Sequence, residues 1–281
     1  MTSKKILVLL ACFVCAFGFT VKAEQIQPQI ASGNRLVDYI PDVSDCATLS
    51  EEPVYDYLYG QLLSLTKTID LSSYKLTLDE FKDAYSLTSY MYPELYFCGN
   101  AFTYYTNGTT VTAVKPDYLT TDKTEIDAEI AKINAVMDEL SEGLEELAFD
   151  EDKVLLIHDR LALYTAYDTT LAKRNAHDLF VDGKAVCEGY SSAFYALASR
   201  AGVKVGFVTS EKIKHIWNAV CINEKWYHVD VTWDDPVTDR LGNVRHNYFL
   251  KSNDALLELN PDRDDFTPLE SDSTSFDNAY W

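Results

Sequence analysis

Apolar residues recur at three- and four-residue intervals in five stretches, and each recurrence predicts a helix with one buried face. Val54, Leu58, Leu62 and Leu65 make the first. Phe81, Ala84, Tyr85 and Tyr92 make the second, which Thr77 and Glu80 open as a capping box and Pro93 stops. A longer stripe runs through Ile126, Ile130, Ile133, Met137, Leu140 and Leu144. Between residues 152 and 167 a fourth follows Val154, Ile157, Leu161 and Tyr164, with His158 beside it. The fifth, through Tyr190, Phe194, Leu197 and Ala201, ends at Gly202.

Elsewhere the pattern is that of strands. Residues 96–105 and 110–114 flank Asn107-Gly108, a strong hairpin signal. Farther on, His215, Trp217, Ala219 and Cys221 alternate with Ile216, Asn218, Val220 and Ile222. Asn223-Glu224 is the turn that pairs Ile222 with Lys225, and that register sets Trp217 opposite Asp230. Asp230 then shares a face with His215, one diagonal step away, about 7–8 Å. His228 falls on the same face. A turn at 239–243 and a last strand at 246–250 follow, and residues 252–281 are acidic with little periodicity, expected to be partly ordered at best. The fold class expected is α+β.

Candidate chemistry sits at the start of the fifth helix. A helix start favours an anion, and the thiolate is the nucleophilic form of cysteine, so Cys187 is placed to attack a carbonyl. Gly183 and Gly189 leave room for a substrate backbone. A buried, inert cysteine is the alternative for Cys187 taken alone. A histidine and an aspartate on one face of adjacent strands complete a relay, with His215 as base, Asp230 as its orienter and His228 as a rival base. Trp217, on the His215 face, is a candidate wall of a substrate cleft. Zinc held by Cys187, His215, His228 and Asp230 is a weaker reading, because no paired-cysteine spacing supports it. His158, His177 and His246 read as packing or surface residues.

Three ordered blocks carry a resemblance. Gly183-Lys-Ala-Val-Cys-Glu-Gly-Tyr190 opens a helix, His215-Ile-Trp-Asn218 lies on a strand, and Trp226-Tyr-His-Val-Asp230-Val-Thr-Trp-Asp234 follows on the next. Together they resemble the transglutaminase-like superfamily, related to papain-like cysteine proteases. The resemblance implies a papain-like core with the nucleophile-bearing helix packed on an antiparallel sheet. It implies Cys187 as nucleophile, His215 as general base and acid, and Asp230 as orienter. The activity implied is cleavage of amide or peptide bonds through a thioester, with protein-glutamine cross-linking or a non-catalytic surface-binding module as alternatives. No cofactor is required. The helix–helix–hairpin–helix arrangement ahead of this core resembles a module found in secreted bacterial proteins.

The beginning of the chain changes where this chemistry is expected. Lys4-Lys5, the apolar run 6–19 and Val21-Lys22-Ala23 form an export signal with cleavage after Ala23, and a lipid-bearing Cys12 is the minor alternative. The division expected is a signal at 1–23, a linker at 24–50, an α+β module at 51–148, the catalytic domain at 149–253 and an acidic tail at 254–281. Removing the signal takes three lysines and no acid, moving the net charge from −20 to −23. So negative a chain is a poor partner for nucleic acid or anionic membranes. A protein or peptide substrate, cell-wall peptide among them, is the expected partner. Cys46 and Cys98 are the candidates for a disulfide in an oxidising compartment.

Overall fold

The computed structural model describes residues 23–26, 53–235, 244–279 and 281. The order of its elements is that of an α+β fold with two four-stranded antiparallel sheets. The first half begins with β1 (Ala23–Ile26), which pairs with β3 (Cys98–Thr106), so part of the expected linker joins a sheet. Helices α1 (Pro53–Leu63) and α2 (Leu78–Met91) carry the first two apolar stripes. Thr77 caps α2 as expected, its side chain accepting from the Glu80 N–H while the Glu80 carboxylate accepts from the Thr77 N–H at 2.7 Å. Strand β2 (Ile69–Asp70) pairs with β4 (Val111–Tyr118), which pairs in turn with β3. The β3–β4 turn is four residues long, 107–110, one position later than expected. Asn107 Oδ1 accepts from the N–H groups of Thr109 and Thr110, and this Asx arrangement closes the loop.

The second half is built round one buried helix, α6 (Cys187–Arg200). Against it lie α4 (Asp150–Tyr164), α5 (Ala176–Asp182) and a sheet in the order β10-β9-β8-β7. Those strands are β7 (Lys204–Ser210), β8 (His215–Ile222), β9 (Lys225–Val229) and β10 (Phe249–Lys251). A short parallel pair, β5 (Ala166–Tyr167) and β6 (Lys184–Ala185), leads the chain into α6. Asn223 and Glu224 both take positive φ, 51° and 64°, the two-residue turn whose twist suits a hairpin. The register that follows pairs Ile222 with Lys225 and Asn218 with Val229, as the alternation predicts.

Three expectations about boundaries are corrected. The long helix α3 (Lys123–Ser141) stops before Leu144, and its buried Ile133, Met137 and Leu140 pack in one cluster with Ile157, Phe180, Tyr190 and Phe194. Its start packs the other way, Ile126 lying in the cluster with Leu58, Phe81 and Phe97, so α3 contributes to both halves. The halves are not separate in space. The cluster containing Leu58, Phe81 and Phe97 continues into Cys187, Tyr195, Phe207 and Ile216, because α2 presents Leu87 and Tyr90 to that side. Finally, the segment past 252 is not a loose tail. It forms α8 (Asn253–Leu259) and a 3-10 turn at Pro261–Arg263, and it buries Leu256, Arg263, Phe266 and Leu269. Isolated apolar residues and one arginine do this, which is why no period announces it.

Candidate active site

Cys187 is the first residue of α6, where the N–H groups of the first turn have no partner within the helix. Val186 precedes it in extended conformation and offers no side-chain cap. The glycines expected to make room for a substrate serve the chain instead. Gly183 ends α5 at φ 66°, a left-handed position that favours glycine. A Cβ on Gly189 would lie 2.5 Å from the Ala185 Cβ and 2.8 Å from the Asn175 carbonyl, so its missing side chain lets α6 lie against the segments before it.

His215 begins β8, and Asp230 follows the last residue of β9. His215 Nε2 donates to Asp230 Oδ2 at 2.7 Å, which leaves Nδ1 as the ring nitrogen not engaged by the carboxylate; Cys187 is close enough to act on the imidazole, and its thiol meets Glu188 Oε2 at 3.9 Å. The three sequence-predicted residues thus meet in one place, with Cys187 8% exposed, His215 5% and Asp230 1%. Two further bonds fix the aspartate. Its N–H donates to the Tyr248 carbonyl at 3.0 Å, and its Oδ1 accepts the Trp233 N–H at 3.2 Å as the cap of α7 (Val231–Asp234).

The charges follow from these contacts. Burial disfavours a charged His215, but the Asp230 carboxylate and the hydrogen bonds to Asp230 and Cys187 outweigh it and raise the imidazole to about 9. Burial likewise works against ionised Asp230, yet His215 and Arg263 hold it down at about 2. At neutral pH the pair is an imidazolium on a carboxylate.

Arg263 is the residue that sequence reasoning missed. Its guanidinium is fully buried, donates through Nη2 to Asp230 Oδ2 at 2.6 Å, and lies over the rings of Trp217, Trp233 and Tyr248 at 4.6, 4.2 and 5.0 Å. It comes from the segment read as an acidic tail. The signal available was one arginine amid aspartates after Pro261, which carries no period and no motif.

Trp217 does not wall an open cleft. It is 1% exposed and lies behind His215, ring against ring at 5.8 Å. Its indole N–H donates to His228 Nδ1 at 3.0 Å, so the His228 proton sits on Nε2, facing Asn253 Oδ1 at 3.1 Å. Burial pushes His228 down to about 3. Neutral and engaged at both nitrogens, His228 is a packing residue rather than the rival base, and it does not join Cys187 as a zinc ligand. A different cluster, His158, Asp159 and His246, brings one potential ligand atom from each residue within 4.8 Å of the others. Those atoms are joined by hydrogen bonds, Asp159 Oδ1 bonding His158 Nδ1 at 2.9 Å and His246 Nε2 at 2.7 Å, while His158 Nε2 meets Asp234 at 3.3 Å. His177 stacks on Tyr96 and bonds Glu129 at 3.1 Å. Cys46 lies outside the described residues.

Comparison with known proteins finds a family match for part of the chain. Residues 134–231 match the profile of the transglutaminase-like superfamily, a span that holds Cys187, His215 and Asp230 and stops short of Arg263. Kyphoscoliosis peptidase of Homo sapiens is 25% identical over 160 residues, which are 48% of this chain and 24% of that protein. The chain therefore spans about a quarter of that relative's length. A solved transglutaminase (TGase) shares 18% identity at a TM-score of 0.33, covering 48% of this chain and 44% of its own. A candidate cysteine protease from Cytophaga hutchinsonii shares 16% at a TM-score of 0.32, covering 48% and 54%. Over residues 134–231, then, the chain is similar to the transglutaminase-like superfamily.

Proposed function

We propose that the protein is a cysteine-dependent acyl-transfer enzyme that hydrolyses amide or peptide bonds, with Cys187, His215 and Asp230 as nucleophile, acid–base and orienter. The observation that carries it is His215 held between a helix-start cysteine and a buried carboxylate. The Cys187 thiolate attacks the substrate carbonyl carbon. The oxyanion that forms is met by the Cys187 backbone N–H at the helix start. His215 gives its Nδ1 proton to the departing nitrogen, the C–N bond breaks, and a thioester remains. The now neutral His215 takes a proton from water, the hydroxide attacks the thioester, and the thiolate and imidazolium are restored as the acid leaves. Asp230 keeps the Nε2 proton in place throughout, so Nδ1 is always the nitrogen that works.

The named activity of the curated relative is that of a peptidase, which favours water over an amine as acceptor. The lysine pair, apolar run and Ala23 favour an exported protein beginning at Glu24, which N-terminal sequencing of material from the culture medium or envelope tests. Among the described residues no helix is long and apolar enough to cross a membrane.

Chemical labelling tests the nucleophile. Burial pushes Cys98 up to about 12 and also raises Cys221, so a thiol-directed electrophile at neutral pH should mark Cys187 before either of them. The His215→Ala variant should slow that labelling. Reactivity equal to that of the denatured chain's cysteines would remove the assignment. Incubation with a glutamine-containing protein and a labelled primary amine separates the outcomes for the thioester: amine incorporation faster than ammonia or peptide release means transamidation.

A further inference from the structure

We propose that Arg263 is a positioning residue of this site, holding the Asp230 carboxylate in the one orientation that presents it to His215. The proposal rests on the acyl-transfer reading above. Burying a guanidinium completely is expensive, and a merely structural arginine recovers that cost by spreading its donors over several acceptors. Arg263 does not. Its Nε and Nη1 have no hydrogen-bond partner among the described residues, and Nη2 reaches Asp230 Oδ2, the oxygen that already accepts from His215. The rest of its surroundings are the faces of Trp217, Trp233 and Tyr248, and two of those rings, Trp217 and Trp233, also flank the His215 imidazole. The arginine is thus committed to a single carboxylate oxygen in an aromatic cage. With Trp233 N–H on the other oxygen, three donors on three segments fix the rotation of the Asp230 side chain.

The segment bearing Arg263 is itself fastened to the base strand. Asp265 accepts from Ser210 Oγ at 2.5 Å and from the Lys212 N–H at 2.8 Å, in the loop that leads into His215. Lys212 pairs with Asp264 at 3.0 Å and Asp262 at 3.2 Å, and Phe266 packs edge-on against Trp217 and His228. A displacement of this turn would therefore move the support of the acid–base pair.

Five groups face Asp230: His215 on β8, His228 on β9, Asp234 on α7, Tyr248 ahead of β10, and Arg263. Remove the Arg263 charge, and burial and Asp234 act on the carboxylate with only His215 and the Trp233 N–H opposing them. The carboxylate then protonates at a higher pH, and what depends on its charge fails sooner on acidification.

The test is the rate at which iodoacetamide alkylates Cys187 in the full chain, followed by mass spectrometry of its peptide across pH. In Arg263→Met the acid limb should move up by about one pH unit or more. Arg263→Lys, which keeps a cation and one donor, should lie between it and wild type. A loss of structure would instead give the limb of the denatured chain's Cys187, measured alongside in urea, so a limb that moves up yet stays below that reference, in a variant that still melts cooperatively, separates the two. Should Arg263→Met fail to fold, Arg263→Gln, which keeps a donor but not the charge, must show the same upward limb. An unmoved limb in the neutral variant, or Arg263→Lys shifted as far as it, overturns the proposal. The denatured wild-type chain and His215→Ala separate the two levels. If wild-type Cys187 reacts no faster than a denatured cysteine, the acyl-transfer reading fails. If His215→Ala slows it and Arg263 does not move the limb, only the role of Arg263 fails.

Discussion

Replacing Asp230 by asparagine is the most informative single change, because it acts on two buried cations at once. The side chain keeps its shape and can still accept the Trp233 N–H at 3.2 Å. What disappears is the negative charge facing His215 Nε2 at 2.7 Å and Arg263 Nη2 at 2.6 Å. Arg263 is fully buried and its Nε and Nη1 have no other partner among the described residues, so it becomes an uncompensated buried charge. Breaking such a pair costs about 3–5 kcal/mol, and the three aromatic faces around the guanidinium offset about 1–2 of it. A net loss of about 3 kcal/mol lowers the melting temperature by roughly 6–12 °C in a chain of this size.

Reactivity falls for a separate reason. His215 is raised to about 9 against the opposing effect of burial, chiefly by Asp230. Without that charge the ring becomes neutral at pH 7, a change of about 3 kcal/mol in the balance between its forms. The asparagine amide can also favour the other tautomer, with the proton on the wrong nitrogen. Thermal melting and Cys187 alkylation measure the two effects independently. Adding Arg263→Met to Asp230→Asn should recover most of the stability, since an apolar group then fills the cage, yet recover none of the alkylation rate. A variant that melts at the wild-type temperature, or a double variant that loses the sum of the two single losses, would refute the electrostatic account of Arg263.

Three other outcomes follow from the same contacts. His215 at about 9 and His158, raised because Asp159 and Asp234 outweigh burial, bind protons more tightly folded than unfolded, so they stabilise below about pH 6.5 and that contribution is lost as pH rises toward 9. Asp230, lowered to about 2, contributes above about pH 4 and loses that contribution between about 4 and 2; urea melts across pH should therefore peak between those limits. His228→Ala strands the Trp217 N–H and opens a cavity, costing about 2–4 kcal/mol in urea melts, but should add no new acid limb to Cys187 alkylation because the imidazole is neutral throughout that range. Gly189→Ala must push Ala185 or the Asn175 carbonyl aside and should cost about 1–3 kcal/mol, read as a lower melting temperature with Cys187 still labelled before Cys98 and Cys221.

How far the sequence disclosed this site depends on the distance over which each constraint acts. Thr77 and Glu80 are three residues apart and cap one helix, so the capping box was legible in the sequence. The β8–β9 register needed one turn and one alternation, and from it the shared face of His215 and Asp230 followed. The hairpin at Asn107-Gly108 was legible for the same reason, since two N–H groups reach back to the Asn107 side chain within its four-residue loop. Gly189 looks like space for a substrate because a sequence does not show that Asn175 and Ala185 already fill it.

Arg263 marks the limit of this kind of reading. It lies 33 positions from Asp230 and 48 from His215, and no periodicity spans such intervals. A charged residue after a proline in an acidic stretch reads as solvated, since arginine is almost never fully buried unless it is paired. Its partner, however, is the one carboxylate that the relay argument requires to be buried and ionised. An ionised carboxylate removed from water needs more than one donor and favours a second cation, and His215 must remain free to pass protons. That requirement could be stated from the sequence, but not which cation meets it. The candidates for an unassigned cation were the 24 lysines and arginines of the chain, and only the packing of α8 and the turn after it against Trp217 selects one.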